Sequence, residues 1–320
     1  MPRRLVQFLV LACAGLFAGC AASGESGETD APRGVIGLSV LTANNPFFNE
    51  IADSLREEAA RHGYGLFVVS GDNDAAKQQN QVKDFIVRDV AAIVLTPCDS
   101  KAVGPAIREA NAAGIPVFTA DIACLAPDAE VVTHVATDNY GGGRAAAQAM
   151  LEALGGRGKV AIVDYPEVES VILRTRGFED EMAEANKQAD VNVEIVAKLP
   201  GGGNRELGNK AAQDILQAHD DLAGIFAIND PSALGARAAV ESAGREDQVV
   251  IIGFDGQLEG KQAIKQGKIY ADPIQFPDKI GNQTARAIAA YFEGEQPVSE
   301  ILIPTKLYRK TDAEHDPALR

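Results

Sequence analysis

Positive charge is scarce in this sequence: 30 Lys and Arg stand against 45 Asp and Glu, for a formal net charge of −15. Phosphate neutralisation supplies most of the affinity of nucleic-acid binders, so a chain this acidic is a poor partner for DNA or RNA. The acidity reads instead as a solvated surface. Histidine is scarce too, and His62, His134, His219 and His315 are scattered singly, as surface or structural residues. There is no GxSxG, HExxH, Walker loop or CxxC, so the common nucleophilic, zinc and phosphoryl-transfer sites of enzymes are missing. The amino-terminal apolar run, LVQFLVLACAGLF, is too short to span a bilayer comfortably.

What surrounds that run is informative. MPRR precedes it and Ala18-Gly19-Cys20 follows, the layout of a secretory signal over residues 1–19. FAGC resembles the lipobox of bacterial lipoproteins, with Phe17 in place of the usual Leu, and this resemblance implies that Cys20 is acylated. Residues 20–33 then form a polar, Gly/Ser-rich tether. The protein is expected to be exported and to meet the membrane through a lipid anchor only. Cys98 and Cys124 remain, each after an apolar run (AAIVLTPC and IPVFTADIAC). If both runs are strands of one parallel sheet, both cysteines sit at its carboxyl edge. A disulfide between them is the expectation, with two free thiols as the alternative.

From residue 34 onward, apolar runs at 35–41, 64–70, 91–96, 115–120, 131–136, 159–164, 192–198, 223–228 and 248–254 mostly alternate with Ala-rich segments of helical period. Continuous Val/Ile strands between helices predict parallel sheets covered on both faces. The strands are too many for one modest sheet, so the fold class is α/β with two Rossmann-like, doubly wound lobes. Gly141-Gly142-Gly143-Arg144 opens a helix but lacks GxGxxG spacing, and reads as tight packing at a lobe entry.

Ligands of open α/β sheets bind beyond the carboxyl ends of the strands. Those ends carry Asn44-Asn45-Pro46-Phe47-Phe48, Asp121, Asn229-Asp230, Asp255-Gly256 and Gln275, with Arg176 as a guanidinium from a helix. Carboxylates accept from paired hydroxyls, carboxamides donate and accept, and Arg donates as a fork. The mixture fits a polyhydroxylated ligand whose CH-rich face lies on an aromatic ring. One or both of Phe47 and Phe48 would then be exposed in the protein alone. Individually each residue has a plainer reading: Asn45 and Asn229 as helix caps, Asp255-Gly256 as a turn, Arg176 as a surface charge.

NNPFF, PCDS with the following AVG, NDPSALGA, VIIGFDG and QFPDKIG resemble the ribose-type periplasmic sugar-binding proteins of ABC importers, in the same order over residues 34–310. The resemblance implies two lobes joined by a three-strand hinge (the type I periplasmic binding protein fold). It divides the chain into 34–137 plus 276–304 and 138–275 plus 305–320. It also implies a monosaccharide or related polyol as ligand, an ABC permease as partner, a monomer and no cofactor. Ligand contacts carried over by this resemblance are Asn45, Phe47, Phe48, Asp121, Arg176, Asn229, Asp255 and Gln275. Two positions depart: Ile122 stands where ribose binders have an arginine, and Gly203 where they have an aromatic, so ribose itself is not implied. A sensory role alongside a kinase or chemoreceptor is the alternative, and an exported sugar-processing enzyme a more distant one. LacI-type regulators share the fold, but a signal-like sequence stands here in place of the helix-turn-helix expected of a repressor.

Overall fold

The computed structural model describes residues 33–320. The expectations for the signal, for Cys20 and for nearly all of the tether lie outside those residues.

The first lobe begins with β1 (Gly34–Val40), α1 (Pro46–Arg61), β2 (Tyr64–Ser70), α2 (Ala75–Val87), β3 (Ala92–Leu95), α3 (Gly104–Ala112), β4 (Val117–Ala120) and β5 (His134–Thr137). The second lobe takes α4 (Asn139–Leu154), β6 (Arg157–Asp164), α5 (Glu169–Ala185), β7 (Asn192–Pro200), α6 (Arg205–Ala218), β8 (Leu222–Ala227), α7 (Asp230–Ser242), β9 (Val250–Ile252), α8 (Leu258–Lys265) and β10 (Ala271–Ile274). The chain returns to the first lobe for α9 (Pro277–Phe292) and β11 (Glu300–Ile303). It ends in the second with β12 (Lys306–Arg309) and α10 (Lys310–His315). Three passages therefore join the lobes: Thr137 to Asn139, Ile274 to Pro277, and Ile303 to Lys306.

Each sheet has six strands, in the orders β11-β5-β4-β3-β1-β2 and β12-β10-β9-β8-β6-β7. Strands β3, β4 and β5 are buried along their whole length, as expected for short Val/Ile/Ala runs with helices on both faces. All pairs in the first sheet are parallel, but β12 runs antiparallel to β10. The reason is local. Strand β11 ends at the interlobe side, and a link of only Pro304 and Thr305 carries the chain straight into the second sheet from that side.

The helices are set by capping and by close packing. Asn45, Asp74, Asp138 and Asn229 each accept a backbone N–H at the start of a helix. Helices α4 and α5 meet backbone to backbone, because a Cβ at Gly143 would stand 2.0 Å from the carbonyl oxygen of Arg174. The glycine run is thus a packing device, which also brings Arg174 toward the interlobe space.

Strand β3 separates two apolar clusters, with Ala92 and Val94 facing one and Ile93 and Leu95 the other. This separation corrects the disulfide expectation. Cys98 turns into the first cluster, its Sγ 3.7 Å from the Leu41 carbonyl oxygen, while half-buried Cys124 packs against the second. Both thiols are free, since the two chain segments leave the sheet edge toward opposite faces.

Candidate functional site

In each sheet the strand order reverses once, between β1 and β3 in the first lobe and between β6 and β8 in the second. Loops diverge at such a switch point and leave a crevice at the carboxyl edge. The two crevices face each other across a cavity of about 850 Å³. This falls within the ~300–1,000 Å³ range of small-molecule sites. Asn45, Phe47, Phe48 and Asp121 line it from the first lobe, and Asn229 and Asp255 from the second. Gln275 lines it from the passage between β10 and α9.

The first-lobe wall is built by the start of α1. Asn45 Oδ1 accepts from Phe47 N at 3.0 Å, so Asn45 is both the helix cap and a wall residue. Phe47 and Phe48 pack edge to face, 5.4 Å between ring centroids, and are only 4% and 5% exposed. The expectation of an exposed ring is corrected: both rings close off the apolar cluster beneath them and still line the cavity.

Arg174 organises the second-lobe wall. Its Nε donates to Asn139 Oδ1 at 2.8 Å, and its Nη1 to the Ile228 carbonyl at 2.7 Å and Asp255 Oδ1 at 3.0 Å. The guanidinium also lies 3.9 Å from the centroid of the Phe254 ring. Gln275 Nε2 donates to the same Asp255 Oδ1 at 2.6 Å, and its Oε1 accepts from Thr137 Oγ1 at 2.7 Å. Two of the three passages between lobes are thereby tied side chain to side chain beside Asp255.

Asp121 and Asp255 both sit at positive φ, 64° and 101°, where residues other than Gly are uncommon. Strain of this kind collects at functional sites. Burial raises both carboxyls above their ordinary range, that of Asp121 to about 7, and the Arg174 charge opposes the rise in each case. Asp121 Oδ1 is buried with no hydrogen-bond partner in the protein.

Arg176 is a correction. Its side chain is 70% exposed and reaches Asp180 at 3.6 Å, on the outer face of α5. Arg174, 4% exposed, is the arginine in the cavity. Residues two apart on a helix point nearly opposite ways. The buried row Val171, Arg174, Phe178 and Met182 has the helical spacing that singles out Arg174 and excludes Arg176.

Two further wall residues escaped the sequence reading. Tyr165 directly follows β6 at the switch point. It fills the space beside Gly203, where a Cβ would stand 3.3 Å from its ring. Gly203 itself has φ +65° and its carbonyl accepts from Asn229 Nδ2 at 2.9 Å, so the backbone there favours glycine. Gln257, two residues after Asp255, donates from Nε2 to Asp255 Oδ2 at 3.2 Å and to Asn45 Oδ1 at 2.9 Å.

Two doubly wound lobes that meet over a buried polar cavity, joined by three short passages, are the architecture of a hinged two-lobe binding protein. The chain belongs to the family described as periplasmic binding protein domain, whose profile matches residues 36–296. It is 36% identical over 273 residues to the ribose import binding protein of Bacillus subtilis, covering 85% of this chain and 86% of that one. It is 33% identical over 242 residues to a D-apiose import binding protein of Paraburkholderia graminis, covering 75% of each. Among solved structures, an ABC transporter solute binding protein of Bacillus halodurans with bound myo-inositol superposes with a TM-score of 0.81 at 26% identity, covering 91% of this chain and 100% of that one. One from Actinobacillus succinogenes with bound D-allose gives 0.80 at 29% identity, covering 89% and 100%.

Proposed function

We propose that this protein binds a monosaccharide or related polyol between its lobes and delivers it to an ABC permease. The observation that carries the reading is the convergence on one interlobe cavity of carboxylates (Asp121, Asp255), carboxamides (Asn45, Asn229, Gln275), the Arg174 guanidinium and a phenylalanine pair. Such a set provides acceptors, donors and an apolar face for a ring bearing several hydroxyls. Relatives named for ribose and apiose import, and similar structures holding inositol and allose, support the same ligand class. The chain is a binding protein and not an enzyme, as its family and relatives are.

Ligand contacts from both lobes exist only in the closed arrangement, so binding and closure are linked and the permease can recognise the closed form. The protein is exported and held at the membrane by acylation of Cys20, a reading that rests on the FAGC sequence, and it works as a monomer, the state that its resemblance to the ribose-type binding proteins implies. Ribose is not singled out, because Ile122 and the Gly203–Tyr165 pair give this cavity its own lining.

Thermal shift against pentoses, hexoses, inositols and other polyols tests the binding reading. A cognate ligand at about a hundredfold excess over Kd adds roughly 2.7 kcal/mol of stability. Loss of that shift in Asp255→Ala is expected. A flat response to every polyol, with the protein folded, would remove the reading.

A further inference from the structure

The charges of the cavity do not balance within the protein. Two bases line it. Arg205 is exposed at the mouth and paired with Glu259, and Arg174 is buried with its Nε and Nη1 committed to Asn139, Ile228 and Asp255. Arg174 therefore answers Asp255. Asp230 accepts Gln257 N at 2.6 Å, and burial together with the neighbouring Asp272 raises its carboxyl well above 3.8, so it is not a bare charge. Asp121 has no such answer. It is 3% exposed, its Oδ1 meets no donor, and the residue after it, Ile122, is apolar and 2% exposed.

Buried carboxylates in proteins are paired with cations or well supplied with donors, because an isolated charge is costly to desolvate. Burial accordingly raises the Asp121 carboxyl to about 7, against a smaller lowering by Arg174. A ligand that brought both a hydrogen-bond donor and a positive charge would meet both deficits at one atom. A neutral hydroxyl would meet only the first.

We propose that the ligand is a cationic polyol, a sugar or cyclitol carrying a protonated amine beside its hydroxyls, and that Asp121 holds the ammonium. This rests on the polyol-binding reading above and narrows it to one chemical class. The remaining hydroxyls face Arg174, Asn229 and Asp255, and the ring face lies against Phe47 and Phe48. With Ile122 beside it, Asp121 is in hydrogen-bonding contact with no cation of the protein, Arg174 acting on it only at longer range, so selectivity for the amine is a property of the pair Asp121–Ile122.

Calorimetric titration tests this with glucosamine and galactosamine, their neutral parents glucose and galactose, and N-acetylglucosamine as a control that keeps the nitrogen and removes its charge. The expected result is binding of an amino sugar roughly tenfold or more tighter than its parent and the acetylated form. In Asp121→Asn, which keeps the shape and tolerates positive φ, that ratio should fall toward one. Ile122→Arg, which supplies a guanidinium beside Asp121, should also erase the preference and checks the result independently of Asp121 itself. Neutral parents binding as tightly as the amines would overturn the proposal while leaving polyol binding intact. A preference that survives both substitutions would overturn the assignment to Asp121. Failure of all five compounds while another polyol of the thermal-shift panel binds would also overturn the proposal, and failure of both panels with the protein folded would remove the polyol reading and this inference with it.

Discussion

Gln257 and Asn45 meet across the cavity, with Gln257 Nε2 donating to Asn45 Oδ1 at 2.9 Å from the opposite lobe. The same amide donates to Asp255 Oδ2 at 3.2 Å, and Asn45 Oδ1 also accepts from Phe47 N at 3.0 Å. One side chain thus links the cap of α1 to the aspartate beside the hinge. Because the bond spans the two lobes, their separation would break it, so it favours closure before any ligand contact is counted. Gln257→Ala should remove about 1 kcal/mol from the closed state, and so weaken ligand affinity roughly fivefold. Small-angle scattering without ligand should show a larger radius of gyration for the variant. An unchanged radius and unchanged affinity would mean that the bond contributes nothing to closure.

Arg174 and Arg176 stand two residues apart on α5, on nearly opposite faces, and should differ sharply in consequence. Arg174→Ala strands Asp255 as a buried charge and removes the donors to Asn139 and Ile228. Breaking a buried pair in this way costs on the order of 3–5 kcal/mol, so the variant should melt well below the parent and bind poorly. Arg176→Ala loses an exposed pair with Asp180 and should stay within about 0.5 kcal/mol of the parent. Melting curves and ligand titrations of the two variants side by side check this. Equal effects would show that the outer face of α5 matters as much as the wall.

These two arginines also mark where the sequence stopped being readable. The α/β class and the doubly wound lobes follow from apolar runs such as VIGLSV and KVAIVD alternating with helical segments, because burial on both sheet faces imposes that pattern. The strand-end rule leads to Asn45, Asp121, Asn229, Asp255 and Gln275, all of which the structure brings to the cavity. The same rule reaches Tyr165, directly after β6, which the sequence reading passed over. Choosing between Arg174 and Arg176 needs the rotational phase of α5, and a dipeptide offset conceals it unless the whole buried row is followed. Gln257 was beyond local signals, since its role lies in a contact 212 residues away in sequence. The direction of β12 was hidden for a similar reason, being set by a two-residue link between lobes.

The thiols give a direct chemical test of the sheet geometry. Cys98 is buried at 3% exposure, and burial pushes its thiol up to about 12, so it should resist alkylation in the folded protein. Cys124 is half-buried, its thiol also raised by burial, and should react slowly under native conditions. In protein lacking residues 1–20, and so Cys13 and Cys20, mass spectrometry after maleimide treatment should show one label at most on folded material and two on unfolded material, without prior reduction. Reductant should leave the melting temperature unchanged. A protein of the mature form that takes up no label when unfolded would reveal a disulfide and require the β3 and β4 edges to lie closer than they do here.

Behind the second-lobe wall, Asp230 and Asp272 are buried together, and Asp230 Oδ1 and both oxygens of Asp272 have no partner other than the facing carboxyl. Two carboxylates so placed cannot both ionise, so one proton stays between them. Burial, more than their mutual repulsion, raises Asp230 well above 3.8, and burial raises Asp272 to about 7. Asp255, on the neighbouring loop, adds to both rises. The folded state therefore binds more protons than the unfolded chain between about pH 4 and 7. The stability that the Asp272 proton contributes is complete below the unfolded pKa and is lost as pH rises through the folded value of about 7, while Asp230 keeps its proton. His134 acts in the opposite direction, since burial lowers it to about 4 and it destabilises the fold as pH falls below 6.5. Comparing the parent with Asp272→Asn cancels the His134 and Asp121 contributions, which are common to both. Asp121 still titrates in the variant, so both melting temperatures should fall from pH 6 to 9, the parent's more steeply, and by pH 8 the difference should favour the variant by roughly 1–3 kcal/mol relative to its value at pH 5. Parallel pH profiles for the two proteins would show that the pair does not exchange its proton in this range.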